Sequence, residues 1–362
     1  MTRAAARAKA PTVADVAREA NVSKAQAARA LGGYGAVSEE VATRVTDAAG
    51  RLGYRPNELA RSMNTGRSNT LGVIVGDIEN PHFGLALRGI SDVARQAGYH
   101  VILSNSDEQV DIEQEAVRVM LDKRVDGIIV APCSSAAGDN PHLAQILADG
   151  CALTLFDRGV YDLDVEVIGV DFTPAAQEAT QQLLELGHRR IAYVTSMQCE
   201  GGYQQPEDLG LTPVAQRVAG MERAFLQAGV TFLPEMIKTD AIDDAAIGKI
   251  VAELFEDGPP PSAIVASDSL IAQSLMREFA LRGLRIPQDL SFVMYDNFPW
   301  TEIVSPPLSV IEQPVYEMGR EAARRVISQI RGDDAGSQPT FTPRFIRRGS
   351  VGPVSTAGDT AR

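Results

Sequence analysis

Three cysteines (Cys133, Cys151, Cys199) and four histidines are all this 362-residue chain offers for thiolate, imidazole or metal chemistry. Their spacing serves none of it. There is no CxxC pair, no HExxH, no GxSxG, no GxxxxGK[ST] and no GxGxxG after a strand-like run. These absences predict no catalytic residue, no metal site and no cofactor. An odd, scattered cysteine set also argues against a disulfide framework and fits a reducing cytoplasm. What the chain does concentrate is positive charge at one end. Residues 1–67 carry eleven Lys/Arg against six Asp/Glu, a net charge of +5, while the remainder carries −18. Phosphate contacts supply most of the non-specific affinity for DNA, so a basic head on an acidic body points to duplex DNA as the head's partner. The body should not itself lie on DNA.

Three capped helices are needed to position that charge. Thr12 with Asp15 three residues on has capping-box spacing, followed by Val16, Ala17 and Ala20 on one face. Asn21-Val22 turns the chain. Ser23 with Gln26 repeats the capping box, Ala27 and Leu31 face inward, and Gly32-Gly33 ends the helix. Ser38 begins a third helix, with Val41, Val45, Ala48, Ala49 and Leu52 at helical spacing and Gly53 as its stop. Two short helices joined by a tight turn are helix-turn-helix geometry, whose second helix enters the major groove. Small capped helices with Ala and Val stripes also occur in ordinary bundles, so the pattern alone leaves that alternative open.

The runs TVADVAREANVSKAQAARAL and VSEEVATRVTDAAGRLGYRPNELARSMNTGRSNTLGVIV make the reading specific. They resemble the LacI (lac repressor-like) family of transcription regulators, and the resemblance continues to the C-terminus. It implies a helix-turn-helix head at 12–55, between a disordered arm at 1–11 and a hinge helix and linker at 56–67. A two-lobed effector-binding and dimerisation domain at 68–353 and a disordered tail at 354–362 complete the chain. About eight residues are too few for a stable isolated helix, so the hinge would order only over DNA and a partner subunit. By position the resemblance gives Thr12, Ser23 and Asn57 to phosphates, which set register without reading sequence. It gives Lys24, Ala25 and Arg29 to bases, and keeps a capping or phosphate role for Gln26. Within the GYRPN-x-x-AR signature, Tyr54 and Arg61 join the DNA-binding set. Met63 stands where an apolar wedge enters the minor groove, with an exposed linker residue as the plainer alternative. One departure matters: most relatives read VSxxTVSRVLN where this chain reads VSKAQAARALG, which changes what the recognition helix offers a base pair.

After Ser68, short apolar runs alternate with amphipathic segments. Leu71–Val75, Val101–Ser104, Gly127–Val130 and Leu153–Phe156 form one strand series, and Ile191–Val194, Ala263–Ala266 and Ser291–Met294 a second. Helices are expected between them, including 216–228 and 270–282. Such alternation predicts α/β lobes with parallel sheets and helices on both faces. The resemblance adds a periplasmic-binding-protein-like (type I) architecture whose ligand sits between the lobes, beyond the strands' carboxyl ends.

Strand ends and family positions together nominate Asn80, Phe83, Asp171, Arg217, Asp268, Asp296 and Trp300 for effector binding. Carboxylates, a guanidinium and aromatic faces suit polyols. Phe83 and Trp300 could equally be core residues, and Asp268 a helix cap. Ser267 stands where many relatives carry Asn. The stretch 195–216 is some eight residues longer than the family leads one to expect, and either covers the cleft mouth or is a tolerated surface insertion. The tail after Ser350 lacks leucine heptads, so coiled-coil tetramers gain no support and a homodimer on a palindromic operator is expected.

The sequence therefore reads as a cytoplasmic, nucleoid-associated repressor of carbohydrate genes, released from DNA by a small sugar-like effector. A co-repressor-dependent regulator with a non-sugar effector is the alternative. A membrane partner is not expected, since no apolar run approaches the roughly 20 residues of a span. A solute-binding or chemoreceptor module is the remaining non-enzymatic class, and the basic head argues against it.

Overall fold

The computed structural model describes residues 11–32, 35–54, 66–199, 201–205 and 208–354. Asn57, Arg61, Met63 and most of the expected hinge lie outside the described residues, as do 1–10 and 355–362. The chain divides into two units, residues 1–68 and 69–362.

In the first unit, α1 (Val13–Glu19), α2 (Lys24–Gly32) and α3 (Glu39–Leu52) each begin at an expected cap. Thr12 N–H donates to Asp15 Oδ2 (2.9 Å) while Asp15 N–H donates to Thr12 Oγ1 (3.4 Å). Ser23 and Gln26 exchange the same pair at 3.0 and 3.2 Å. Such caps contribute about 1 kcal/mol each. Gly53 ends α3 in the left-handed conformation its φ of 63° requires. Val16, Ala17, Ala20, Ala27, Val45, Ala48 and Ala49 form the core, and Arg51 Nε bonds Glu19 Oε1 (3.1 Å) to tie α3 to α1. Small side chains let three short helices approach closely.

The second unit has two sheets. In the N-terminal lobe, β1 (Thr70–Val75), β2 (His100–Asn105), β3 (Gly127–Val130), β4 (Ala152–Phe156) and β5 (Val167–Ile168) run in the order β2-β1-β3-β4-β5, all parallel. Between them lie α4 (Pro81–Gln96), α5 (Val110–Asp122) and α6 (Pro141–Ala148). In the C-terminal lobe, β6 (Ile191–Val194), β7 (Ile237–Lys238), β8 (Ala263–Ala266), β9 (Ser291–Tyr295), β10 (Ser309–Glu312) and β11 (Arg344–Ile346) form a six-stranded sheet, order β11-β10-β9-β8-β6-β7. Only the β10–β11 pair is antiparallel. Its helices are α7 (Thr173–Glu185), α8 (Thr212–Gln227), α9 (Asp244–Glu256), α10 (Ser269–Arg282) and the short α11 (Pro299–Ile303). The helix expected at 216–228 starts four residues earlier, with Thr212-Pro213 opening it.

One further helix, α12 (Val315–Arg331), follows β10 but packs on the other lobe, where Val315, Met318, Ala322, Ala323 and Val326 join the β1 and α4 core. The crossing of α4 and α12 is made possible by paired glycines. A Cβ on Gly89 would lie 2.2 Å from Tyr316 O, and one on Gly319 2.2 Å from Ala86 O. The chain thus passes between lobes three times: after β5, after β10, and between α12 and β11. Val354 N–H donates to Leu186 O (3.1 Å), so this first residue of the expected disordered tail is held to the C-terminal lobe. Among the described residues no helix is long and apolar enough to cross a membrane.

Candidate nucleic-acid interface and effector cleft

On the head, Lys24, Ala25 and Arg29 are solvent-exposed along α2, whose buried residue is Ala27. Thr12 and Ser23 are exposed at two helix N-termini, each already engaged as a cap, and Gln26 is half-buried. Helix N-termini favour anions because their first N–H groups point outward along the dipole. Tyr54 is half-buried against the head core, which makes it first a packing residue.

In the second unit, polar side chains converge where the two lobes meet, beyond the carboxyl ends of parallel strands. His82 enters from the start of α4, Asp157 and Arg158 follow β4, Ser267 follows β8, Asp296 follows β9 and Gln313 follows β10. His82 is 5% exposed and bridges the lobes: Nε2 lies 3.6 Å from Asp157 Oδ1 and Nδ1 3.7 Å from Asp296 Oδ2. Gln313 Nε2 donates to Asp296 Oδ1 (2.9 Å) and lies 3.3 Å from His82 Nδ1. Burial drives the imidazole toward its neutral form, but Asp157 and Asp296 more than offset it, so its pKa lies above the ordinary value. For Asp296 burial acts upward and is outweighed by His82, Arg217 and Gln313, which hold its carboxyl below the usual range. Both aspartates have positive φ, 64° at Asp157 and 71° at Asp296. Such backbone is costly and clusters at ligand sites.

Arg217 is stacked between two rings, its Cζ 4.2 Å from the Phe172 centroid and 4.1 Å from that of Tyr295. Its Nη1 donates to Ser267 O (2.8 Å). Among the described residues, Arg217 Nε, Gln313 Oε1 and His82 Nε2 are buried with no hydrogen-bond partner. Unsatisfied buried polar atoms are costly, and three in one place mark the junction as a candidate ligand site. The end of the long stretch before α8 is bonded to the N-terminal lobe. Ser135 N–H donates to Gly210 O (2.9 Å), Thr212 N–H to Ser135 Oγ (3.2 Å), and Gly159 N–H to Thr212 Oγ1 (3.3 Å). Leu209 and Leu211 anchor the stretch in the core of the C-terminal lobe.

Of the seven residues nominated from sequence, Arg217 and Asp296 meet at this centre. Asn80 serves as N-cap of α4, accepting from His82 N–H (3.1 Å). Phe83 is core, 3% exposed, with Arg158 Cζ 5.7 Å from its ring. Asp268 is the helix cap: Oδ1 accepts from Leu270 and Ile271 N–H (2.9 and 3.0 Å), and Oδ2 from the Ser267 hydroxyl (2.9 Å). Trp300 packs on the C-terminal-lobe core and spends its Nε1–H on Ser269 Oγ (3.1 Å). Asp171 departs furthest from expectation. It is exposed, accepts from Thr173 N–H (2.9 Å), and borders a separate hollow of about 480 Å³ against residues 338–343, while its neighbour Phe172 carries the contact to Arg217. His82, Asp157, Arg158 and Gln313 are the residues that sequence reasoning missed. Each stands within or just past a segment (DIENPHF, LTLFDR, VIEQP) at a strand end, and that position was the available signal.

A head of three capped helices and a two-lobed α/β body with a closed polar junction together define a DNA-binding protein with a ligand-sensing domain. Comparison with known proteins agrees part by part. Residues 12–57 match the profile "Bacterial regulatory proteins, lacI family", and 180–351 match that of the periplasmic binding protein-like domain. Catabolite control protein A of Priestia megaterium is 31% identical over 336 residues, 92% of this chain and 97% of that protein. The ribose operon repressor of Bacillus subtilis is 32% identical over 321 residues, covering 88% and 92%. The lac repressor dimer bound to operator superimposes with a TM-score of 0.79 at 21% identity, covering 94% of this chain and 99% of that one, a likeness of fold. The chain belongs to the LacI family of transcriptional regulators.

Proposed function

We propose that this regulator represses carbohydrate uptake or catabolism genes, binding a palindromic operator as a homodimer until a sugar-like effector seats between its lobes. Catalysis forms no part of this reading, and the protein works in the cytoplasm on the nucleoid. Thr12, Ser23, Gln26 and Asn57 contact phosphates. Lys24, Ala25 and Arg29 face base edges, Met63 wedges into the minor groove, and Tyr54 and Arg61 support the interface.

The observation that carries the effector reading is the set of unsatisfied polar atoms at the closed junction, Arg217 Nε, Gln313 Oε1 and His82 Nε2. Vicinal hydroxyls both donate and accept, and so can satisfy a mixed set beside Asp157 and Asp296. Ribose operon repressors among the relatives support the same class. A thermal-shift screen of pentoses, hexoses and disaccharides tests it. At least one sugar should raise Tm, and Arg217→Ala and Asp296→Ala should abolish the shift. No shift with any of them, or an unchanged shift in both variants, contradicts the assignment.

A further inference from the structure

The turn after β2 has unusual backbone. Asp107 and Glu108 both adopt left-handed conformations, with φ of 50° and 55°. For non-glycine residues this persists only where the surroundings enforce it. Here it fixes the Glu108 carboxylate. Gly76 makes room for it, since a Cβ there would lie 2.1 Å from Glu108 Oε1. The carboxylate forks the Arg158 guanidinium, with Nη1–Oε2 at 2.5 Å and Nη2–Oε1 at 2.7 Å. The other Arg158 donors reach Pro132 O (3.1 Å) and Asp157 Oδ2 (3.3 Å).

Arg158 would otherwise be the phosphate grip of this cleft. A buried guanidinium stays charged and presents a planar fork matched to phosphate oxygens. Glu108 takes that fork. Arg217 is held in place, clamped between two rings with Nη1 bonded to Ser267 O, which leaves its Nε donor for a ligand hydroxyl. What remains for a ligand is a mixed set of single groups, the acceptors Asp157, Asp296 and Gln313 Oε1 with Arg217 Nε and His82 Nε2.

We propose that Glu108 sets the chemical class of the effector: by occupying Arg158 it makes the cleft select uncharged polyols and reject their phosphate esters. The proposal rests on reading the junction as the effector site. Hydroxyls donate to the two aspartates at no cost in charge. A phosphate monoester brings a charge of about −1.5 to −2 at pH 7 beside Asp157 and Asp296, which already face His82, while the Arg158 fork is taken by Glu108. Specificity then comes from an unpaired charge against the wrong ligand as much as from contacts to the right one.

Isothermal titration of the full chain tests this, using pentoses and hexoses, each with its terminal phosphate ester, and inorganic phosphate. Glu108→Gln and Glu108→Ala are measured in parallel, with circular dichroism to confirm the fold. Charge-assisted hydrogen bonds of the ordinary size predict that the wild type binds the neutral sugar at least about tenfold tighter than its ester. Both variants should tighten ester binding about tenfold or more while leaving the neutral sugar within about threefold. An ester that binds the wild type as tightly as the free sugar, or folded variants with an unchanged ratio, overturns the proposal and leaves the effector site standing. Failure of every sugar and ester to bind overturns both.

Discussion

His82 is an imidazole placed where burial alone would keep it neutral, yet it faces one aspartate from each lobe, with Gln313 and Arg217 beside it. Its raised pKa has a definite consequence for pH. Stabilisation from the charged form is fully present below the unfolded value of about 6.5 and is lost as pH rises through the higher folded value. The Tm advantage of wild type over His82→Asn should therefore be larger at pH 6 than at pH 8.5. An advantage independent of pH contradicts a charged His82 between the lobes. On the head, Arg29 projects into solvent from α2. Arg29→Ala should lose about 1–3 kcal/mol of discrimination at one base pair of a selected operator. Asn57→Ala should instead weaken all sequences alike, as phosphate contacts do. Gel shifts on single-base operator variants separate the two, and neutrality of both substitutions would misplace the recognition helix.

The crossing of α4 over α12 is a close backbone contact, held open by Gly89 and Gly319. Because the obstructing atoms are main-chain oxygens, Gly319→Ala cannot be absorbed by a rotamer change. It should cost about 1–3 kcal/mol or more in chemical denaturation, whereas a change at open Gly84 should cost far less. Equal stability of the two variants would contradict the packing. The same pair of helices shows where sequence reading ends. The period of Val315, Met318, Ala322 and Val326 is plain in the sequence, but periodicity does not say which lobe a buried face will meet, and α12 returns to the N-terminal one. Caps were legible because they are local: Thr12–Asp15, Ser23–Gln26, Ser38 and Gly53 all behave as their spacing dictates. Site residues were half legible. Strand ends marked Asp296, and equally marked Asp171. The two-residue β5 leads outward from the junction there, whereas Asp157 after β4 turns in through a left-handed backbone that no local pattern announces. The lengthened stretch before α8 could be read as lid or insertion. Bonds of Gly210 and Thr212 with Ser135 and Gly159 tie the end of that stretch to the N-terminal lobe.

At the scale of the whole molecule, the account requires that closure of the lobes and affinity for DNA be linked. Three chain crossings join the lobes into one unit, and effector-released repression requires two arrangements of those lobes in equilibrium. An effector can shift such an equilibrium only by its differential affinity for the two states, and the same factor must appear in operator affinity. Couplings of this kind typically amount to about 1–3 kcal/mol, or roughly 5- to 150-fold in affinity. The most direct measurement is operator affinity of the full chain by fluorescence anisotropy, with and without a saturating sugar from the thermal-shift screen, at fixed salt. The account predicts at least about a fivefold loss of operator affinity with the sugar, and no loss in Arg217→Ala. Tight sugar binding that leaves operator affinity unchanged, or raises it, would contradict effector-released repression.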